Sequence, residues 1–223
     1  MLYFLYLREN RLVNKIPVSL GISITGRIYI NEFHSNFMKK FLLLSLICLT
    51  SFSSSADMHK MSDSGEILAV DSESWSCVLD DSKSLLWEVK SREEGIQYSF
   101  NTYTWFDGES GRDNGTFSKN CYWGKSCNTL SFIADVNKAN LCGYSDWRLP
   151  SLDELNTIVD YYGESDMLIN TDFFPNTQQN TYWTSVSVTN NPKLAFEVPF
   201  FYGGSKAREK TIDTFVRLVR SAD

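Results

Sequence analysis

Four cysteines downstream of an export-type segment constrain this chain more than any other feature. That segment opens with Met38-Lys39-Lys40, continues through the apolar residues 41–50 and closes in the small, polar run 51–56. A basic start, a short apolar core and a small-residue end are the three parts of a secretory signal peptide. Ser54 and Ala56 suit the two cleavage-site pockets, so residues 38–56 are expected to be removed after Ala56. The apolar run is too short to span a bilayer, which needs about 20 residues. Residues 1–37 precede Met38 with no clear period and are expected to be an upstream extension wrongly attached to the protein.

An exported chain folds where thiols oxidise. Cys48 lies inside the signal core behind Ile47, where a lipidation site would need a small residue. Residues 57–223 keep Cys77, Cys121, Cys127 and Cys142. An even four in such a compartment implies two disulfides, with three connectivities open. Loop closure favours Cys121–Cys127, which are near neighbours across Trp123-Gly124, and leaves Cys77–Cys142 as the long link. Zinc is the rival reading. No cysteine pair has two-residue spacing, and the only histidine after the signal is His59, in a polar stretch.

Charge narrows the partners. The whole chain has 21 Lys plus Arg and 27 Asp plus Glu. Six and two of these precede residue 57, so 57–223 carries 15 against 25, a net charge of −10. That balance opposes nucleic acid, which needs a basic surface, and weakens docking on anionic lipid. The same stretch has the size of one domain.

Residues 57–74 are polar and aperiodic, and are expected to be a flexible leader to a domain at 75–223. Cys77-Val-Leu-Asp80 and residues 85–90 flank Asp81-Ser-Lys-Ser84 and predict a hairpin. Residues 98–106 alternate aromatic and polar side chains, as a half-exposed strand does. A first helix is expected with Thr129 as its cap, Phe132, Ile133, Val136 and Leu141 on roughly one side and Gly143 just past its end. A second starts at the capping box Ser151-Leu-Asp-Glu154. Its apolar face is Leu152, Leu155, Ile158, Val159 and Tyr162, and Gly163 ends it. Strands follow at 181–188, 194–201 and 214–220. Strands, then helices, then strands define an α+β order.

The run 140–155, which contains Trp147-Arg148-Leu149-Pro150-Ser151 and Glu154, resembles the Lcl C-terminal domain family, named for a bacterial collagen-like adhesin. Residues 75–78, 86–90, 103–105, 173–176, 182–185 and 216–220 match in the same order and span nearly all of 75–220. Arg148-Leu149-Pro150 and Arg217-Leu-Val-Arg220 are also similar to the formylglycine-generating enzymes. The resemblance implies a C-type-lectin-like fold: a twisted, mostly antiparallel sheet with two helices and long loops. The chain departs from the family where Lys83-Ser84 replaces a usual Thr-Gly, which leaves the turn type open. It has no Gly-X-Y repeat, so no collagen stalk is implied.

Catalysis finds little support. No Ser–His or Cys–His pair is available to the domain, and no cysteine follows Cys142, so the cysteine chemistry of the formylglycine-generating enzymes is not implied. Phe174-Pro-Asn176 has an apolar residue where a sugar-binding lectin places a calcium ligand. Asp107, Glu109, Asp113 and Asn114 offer hard oxygen ligands for Ca²⁺, against the plainer reading of a solvated loop. Trp87, Trp147 and Trp183 are expected in the core. Tyr122 and Trp123, in the small cysteine loop, are the candidate ligand contacts. Arg148 is expected to pair with a carboxylate such as Glu154 rather than to hold a ligand. The expected function is an exported, non-catalytic recognition module for glycans or matrix polymers. A carboxylate-dependent enzyme and a structural envelope component are the alternatives.

Overall fold

The computed structural model describes residues 58–113, 121, 126–163 and 166–222. The signal segment and residues 1–37 lie outside them. Two antiparallel sheets and two α-helices make up the domain. The first sheet has the order β1 (Met58–Met61), β2 (Cys77–Asp80), β3 (Leu85–Glu88), β7 (Val219–Ser221); the second has β4 (Thr181–Val188), β5 (Asn191–Pro199), β6 (Lys206–Glu209). The helices are α1 (Thr129–Ala139) and α2 (Leu152–Thr157), with a 3₁₀ turn at Leu141–Gly143 between them.

The predicted hairpin is β2–β3, in register from Cys77 opposite Glu88 to Asp80 opposite Leu85. The Asp80 carboxylate organises the turn by accepting bonds from the Ser82 hydroxyl and the Lys83 N–H. Ser84 takes a left-handed φ of 52°. That conformation favours glycine, the residue the resembling family usually carries there.

Strand β3 is buried on both faces. Leu86 faces one core cluster with Trp105, Phe132, Trp147 and Trp183, which carries α1. Leu85 and Trp87 face the other, with Leu155, Phe174 and Tyr182, which carries α2. Strand alternation explains the split. Trp87, Trp147 and Trp183 are all fully buried, as expected. Both disulfides have the expected pairing, Cys77–Cys142 and Cys121–Cys127.

The segment before Val219 ties the sheets together. The Trp183 N–H donates to the Phe215 carbonyl, and the Glu88 N–H donates to the Leu218 carbonyl. Arg148 and Val219 exchange two backbone bonds. Only Val219–Ser221 joins a ladder, so most of the expected strand at 214–220 is an irregular connector.

Several expectations need correction. The stretch read as a flexible leader contains β1, which pairs with β2 from Met58 opposite Asp80 to Met61 opposite Cys77. Four residues with two polar members gave no visible period, so the domain starts earlier than Trp75. Residues 98–106 form isolated bridges rather than a strand, and Tyr103, Thr104 and Trp105 are all buried. The cap of α1 is Asn128, whose side chain accepts from the Ser131 N–H. Thr129 instead bonds Phe106 through its hydroxyl. Asn140 ends α1 in the left-handed region, ahead of Gly143. Helix α2 stops at Thr157, where Asn156 and Thr157 turn their side chains onto backbone carbonyls of their own helix. Tyr162, expected on its apolar face, is exposed. Strand β6 is absent from the sequence reading; its charged sequence suits a sheet edge.

Candidate functional site

The run 147–155 is a structural junction. The Trp147 indole donates to the Leu141 carbonyl, and the Asn137 side-chain amide pairs with both backbone groups of Trp147. The Pro150 carbonyl accepts from the Ser185 N–H in β4. The capping box is complete: Ser151 Oγ accepts from the Glu154 N–H, and the Glu154 carboxylate accepts from the Ser151 N–H. Arg148 then forks onto Glu154, at 2.8 and 2.7 Å, as expected from the sequence. The hydrogen bond to Arg148 holds the Glu154 carboxyl below its usual range against the opposing effect of burial.

Of the proposed calcium ligands, Asp107, Glu109 and Asp113 are among the described residues. Asp107 Oδ1 accepts from the Glu109 and Ser110 N–H groups, which closes a turn inside the loop. Burial pushes the Asp107 carboxyl up, but these bonds and nearby Lys210 outweigh it and leave it low. Asp113 accepts instead from the Asn128 amide. Glu109 is exposed. Among the described residues, no three Asp, Glu, His or Cys side chains form a metal-sized group. Lys210 already supplies a cation: its ammonium lies 3.7 Å from the centre of the Trp105 ring and donates to Ser110 and Ser187. Asn114 and the candidate contacts Tyr122 and Trp123 lie outside the described residues.

A cleft of about 630 Å³ opens elsewhere, between the loop after β3 and the loop before β4. Arg92, Ser99 and Phe100 line one side; Met167, Asn176 and Gln178 are among those lining the other. Arg92 Nε donates to Asn176 Oδ1 at 2.7 Å, and Asn176 Nδ2 donates to the Lys90 carbonyl at 3.0 Å. These bonds fix a guanidinium and an amide across the cleft. Asn176 itself has a φ of 60°, which asparagine tolerates better than most residues. The Phe100 ring is 58 % exposed, with Tyr98 beside it at 5.3 Å. The buried Ser99 hydroxyl has no hydrogen-bond partner among the described residues. No carboxylate is among the residues described as lining the cleft.

A buried ionic network holds the cleft from beneath. Arg217 donates to the Thr177 hydroxyl at 2.8 Å and to the Glu88 carbonyl, and lies over the Phe174 ring. Glu88 accepts from Lys90 at 2.6 Å and from the Leu218 N–H at 2.9 Å. Burial lowers the pKa of Lys90 and of Arg217, while contact with Glu88 works the other way for both. Burial also pushes the Tyr182 hydroxyl up to about 12, so it stays protonated and accepts from the Gln178 N–H.

Sequence reasoning singled out Asn176 only inside an incomplete calcium motif, and it missed the cleft. The available signal was the aromatic pair Tyr98 and Phe100, which was absorbed into a predicted strand.

The class defined by these features is a disulfide-linked α+β domain that carries a polar cleft on its loops. The family description that matches residues 76–220 is the Lcl C-terminal domain, and the chain belongs to that family. No curated protein matches the chain, and no solved structure does. Two disulfides and an adhesin-type domain fit an exported protein. Among the described residues, no helix is long and apolar enough to cross a membrane.

Proposed function

We propose that this protein is an extracellular adhesion-type module that binds a glycan in the cleft between Phe100 and Asn176. The observation that carries the reading is an exposed phenyl ring on a cleft otherwise lined mainly by polar side chains. An aromatic face takes the apolar side of a pyranose ring, while amide, guanidinium and hydroxyl groups take its hydroxyls. The Arg92–Asn176 bond sets two of these groups in advance, which lowers the ordering cost on binding. Among the described residues that line the cleft there is no carboxylate, which favours binding over acid–base hydrolysis. Two antiparallel sheets with two helices and long loops are consistent with a C-type-lectin-like arrangement.

A glycan array with and without calcium tests the reading. Phe100→Ala is expected to remove the signals while leaving the melting temperature near that of the native protein. Absence of hits, or hits unchanged by Phe100→Ala, would refute it. Signals that vanish on chelation would support the calcium reading of the loop at Asp107, Glu109, Asp113 and Asn114.

A further inference from the structure

A second aromatic surface is made of residues that are not among the described lining of the cleft. Tyr161 and Tyr162 follow α2; Phe201 and Tyr202 follow β5. Their exposures are 52, 97, 40 and 54 %. Single exposed aromatics are ordinary, but a group of four rings drawn from two loops marks an interaction surface.

The surface is built rather than incidental. Tyr161 Oη accepts from the Gly204 N–H at 2.9 Å. Its ring lies against Gly203, where an added Cβ would stand 2.2 Å from a ring carbon. Gly203 and Gly204 both have a φ of 72°. The double glycine therefore lets the loop close onto the tyrosine. Phe201 and Tyr202 pack edge to face with centroids 4.4 Å apart. Asp160 Oδ1 accepts from the Tyr162 N–H and fixes the base of that ring. The Tyr161 ring, held at its hydroxyl, loses little freedom when a ligand stacks on it.

Backbone bonds through Leu168 link this surface to the cleft wall. The Asp160 N–H donates to the Leu168 carbonyl, and the Leu168 N–H donates to the Phe200 carbonyl. Leu168 therefore joins both aromatic loops, and its neighbour Met167 lines the cleft.

We propose that Tyr161, Tyr162, Phe201 and Tyr202 form a second subsite for the same ligand, which is then an extended neutral polysaccharide rather than a short terminal sugar. This rests on the cleft reading above. Three of the four rings are tyrosines, whose polar edges suit a hydroxylated ligand. The net charge of −10 on residues 57–223 opposes an anionic polymer, an anionic bilayer and a second copy of the chain.

Titration with cello- and chito-oligosaccharides of two to six residues tests the proposal. Native protein is expected to bind the longest oligomers more tightly than the shortest. The double variant Tyr162→Ala/Tyr202→Ala is expected to lose on the order of tenfold for the longest oligomers and nothing for the shortest. Phe100→Ala is expected to lose affinity for all lengths. If the double variant binds long oligomers like native protein, the second subsite is refuted and the cleft stands. If no oligosaccharide binds native protein, both readings fall. Sedimentation and flotation with neutral phosphatidylcholine vesicles complete the set. A dimer that the double variant dissociates, or vesicle binding that it abolishes, would overturn the polysaccharide as occupant.

Discussion

Removing Cys77–Cys142 should harm the domain about twice as much as removing Cys121–Cys127. The first link spans a sequence separation of 65 residues and the second a separation of 6. In the chain-entropy account, loops of these lengths contribute about 4 and about 2 kcal/mol. Burial acts in the same direction. Cys77 and Cys142 are fully enclosed in the core, so Cys77→Ala/Cys142→Ala also leaves a small void. For a domain of this size, 1 kcal/mol corresponds to roughly 2–4 °C. The long-loop double variant should therefore melt roughly 8–16 °C lower, and Cys121→Ala/Cys127→Ala roughly 4–8 °C lower. Urea denaturation followed by circular dichroism gives the free energies. It should also show a steeper urea dependence for the long-loop variant, whose unfolded chain expands further. Equal losses, or a larger loss for Cys121→Ala/Cys127→Ala, would refute the reasoning.

Glu154→Ala should cost about 1–2 kcal/mol at neutral pH, because it removes both the reciprocal cap and the fork to Arg148. The Glu154 carboxyl is depressed in the fold, so its contribution is complete above the unfolded glutamate value of about 4.3 and disappears as pH falls through the lower folded value. Melting curves of native and variant protein should therefore converge in acid; a constant gap would contradict the assignment. Ser84→Gly should stabilise the domain by about 0.5–1 kcal/mol, since it relieves a left-handed serine while adding flexibility to the unfolded chain. A drop in urea midpoint would show that the serine side chain does more than occupy the turn.

Local signals in this sequence were readable because both partners lie within a few residues. The Ser151/Glu154 box, the β2–β3 hairpin and the Cys121–Cys127 loop are of this kind. The Cys77–Cys142 pair followed by elimination. Termini of elements were less readable. Helix α1 ends on Asn140 rather than glycine because asparagine also accepts a positive φ. Strands β1 and β6 are short, polar and at sheet edges, so no hydrophobic alternation announced them. The cleft was hidden for a different reason. Arg92 and Asn176 are 84 positions apart, and nothing in either neighbourhood names the other. The Tyr161–Gly203 contact has the same character: a glycine pair reads as a turn until the ring that needs it is in place.

The C-terminal segment decides when the domain can exist. Arg217, Leu218 and Val219 supply the bonds that reach β3 and the floor of the cleft, while Phe215 reaches β4. Until that segment docks, the two sheets lack the backbone bonds that join them. Cys77 and Cys142 both precede it in the chain, so their link can tie β2 to the turn after α1 independently of that closure.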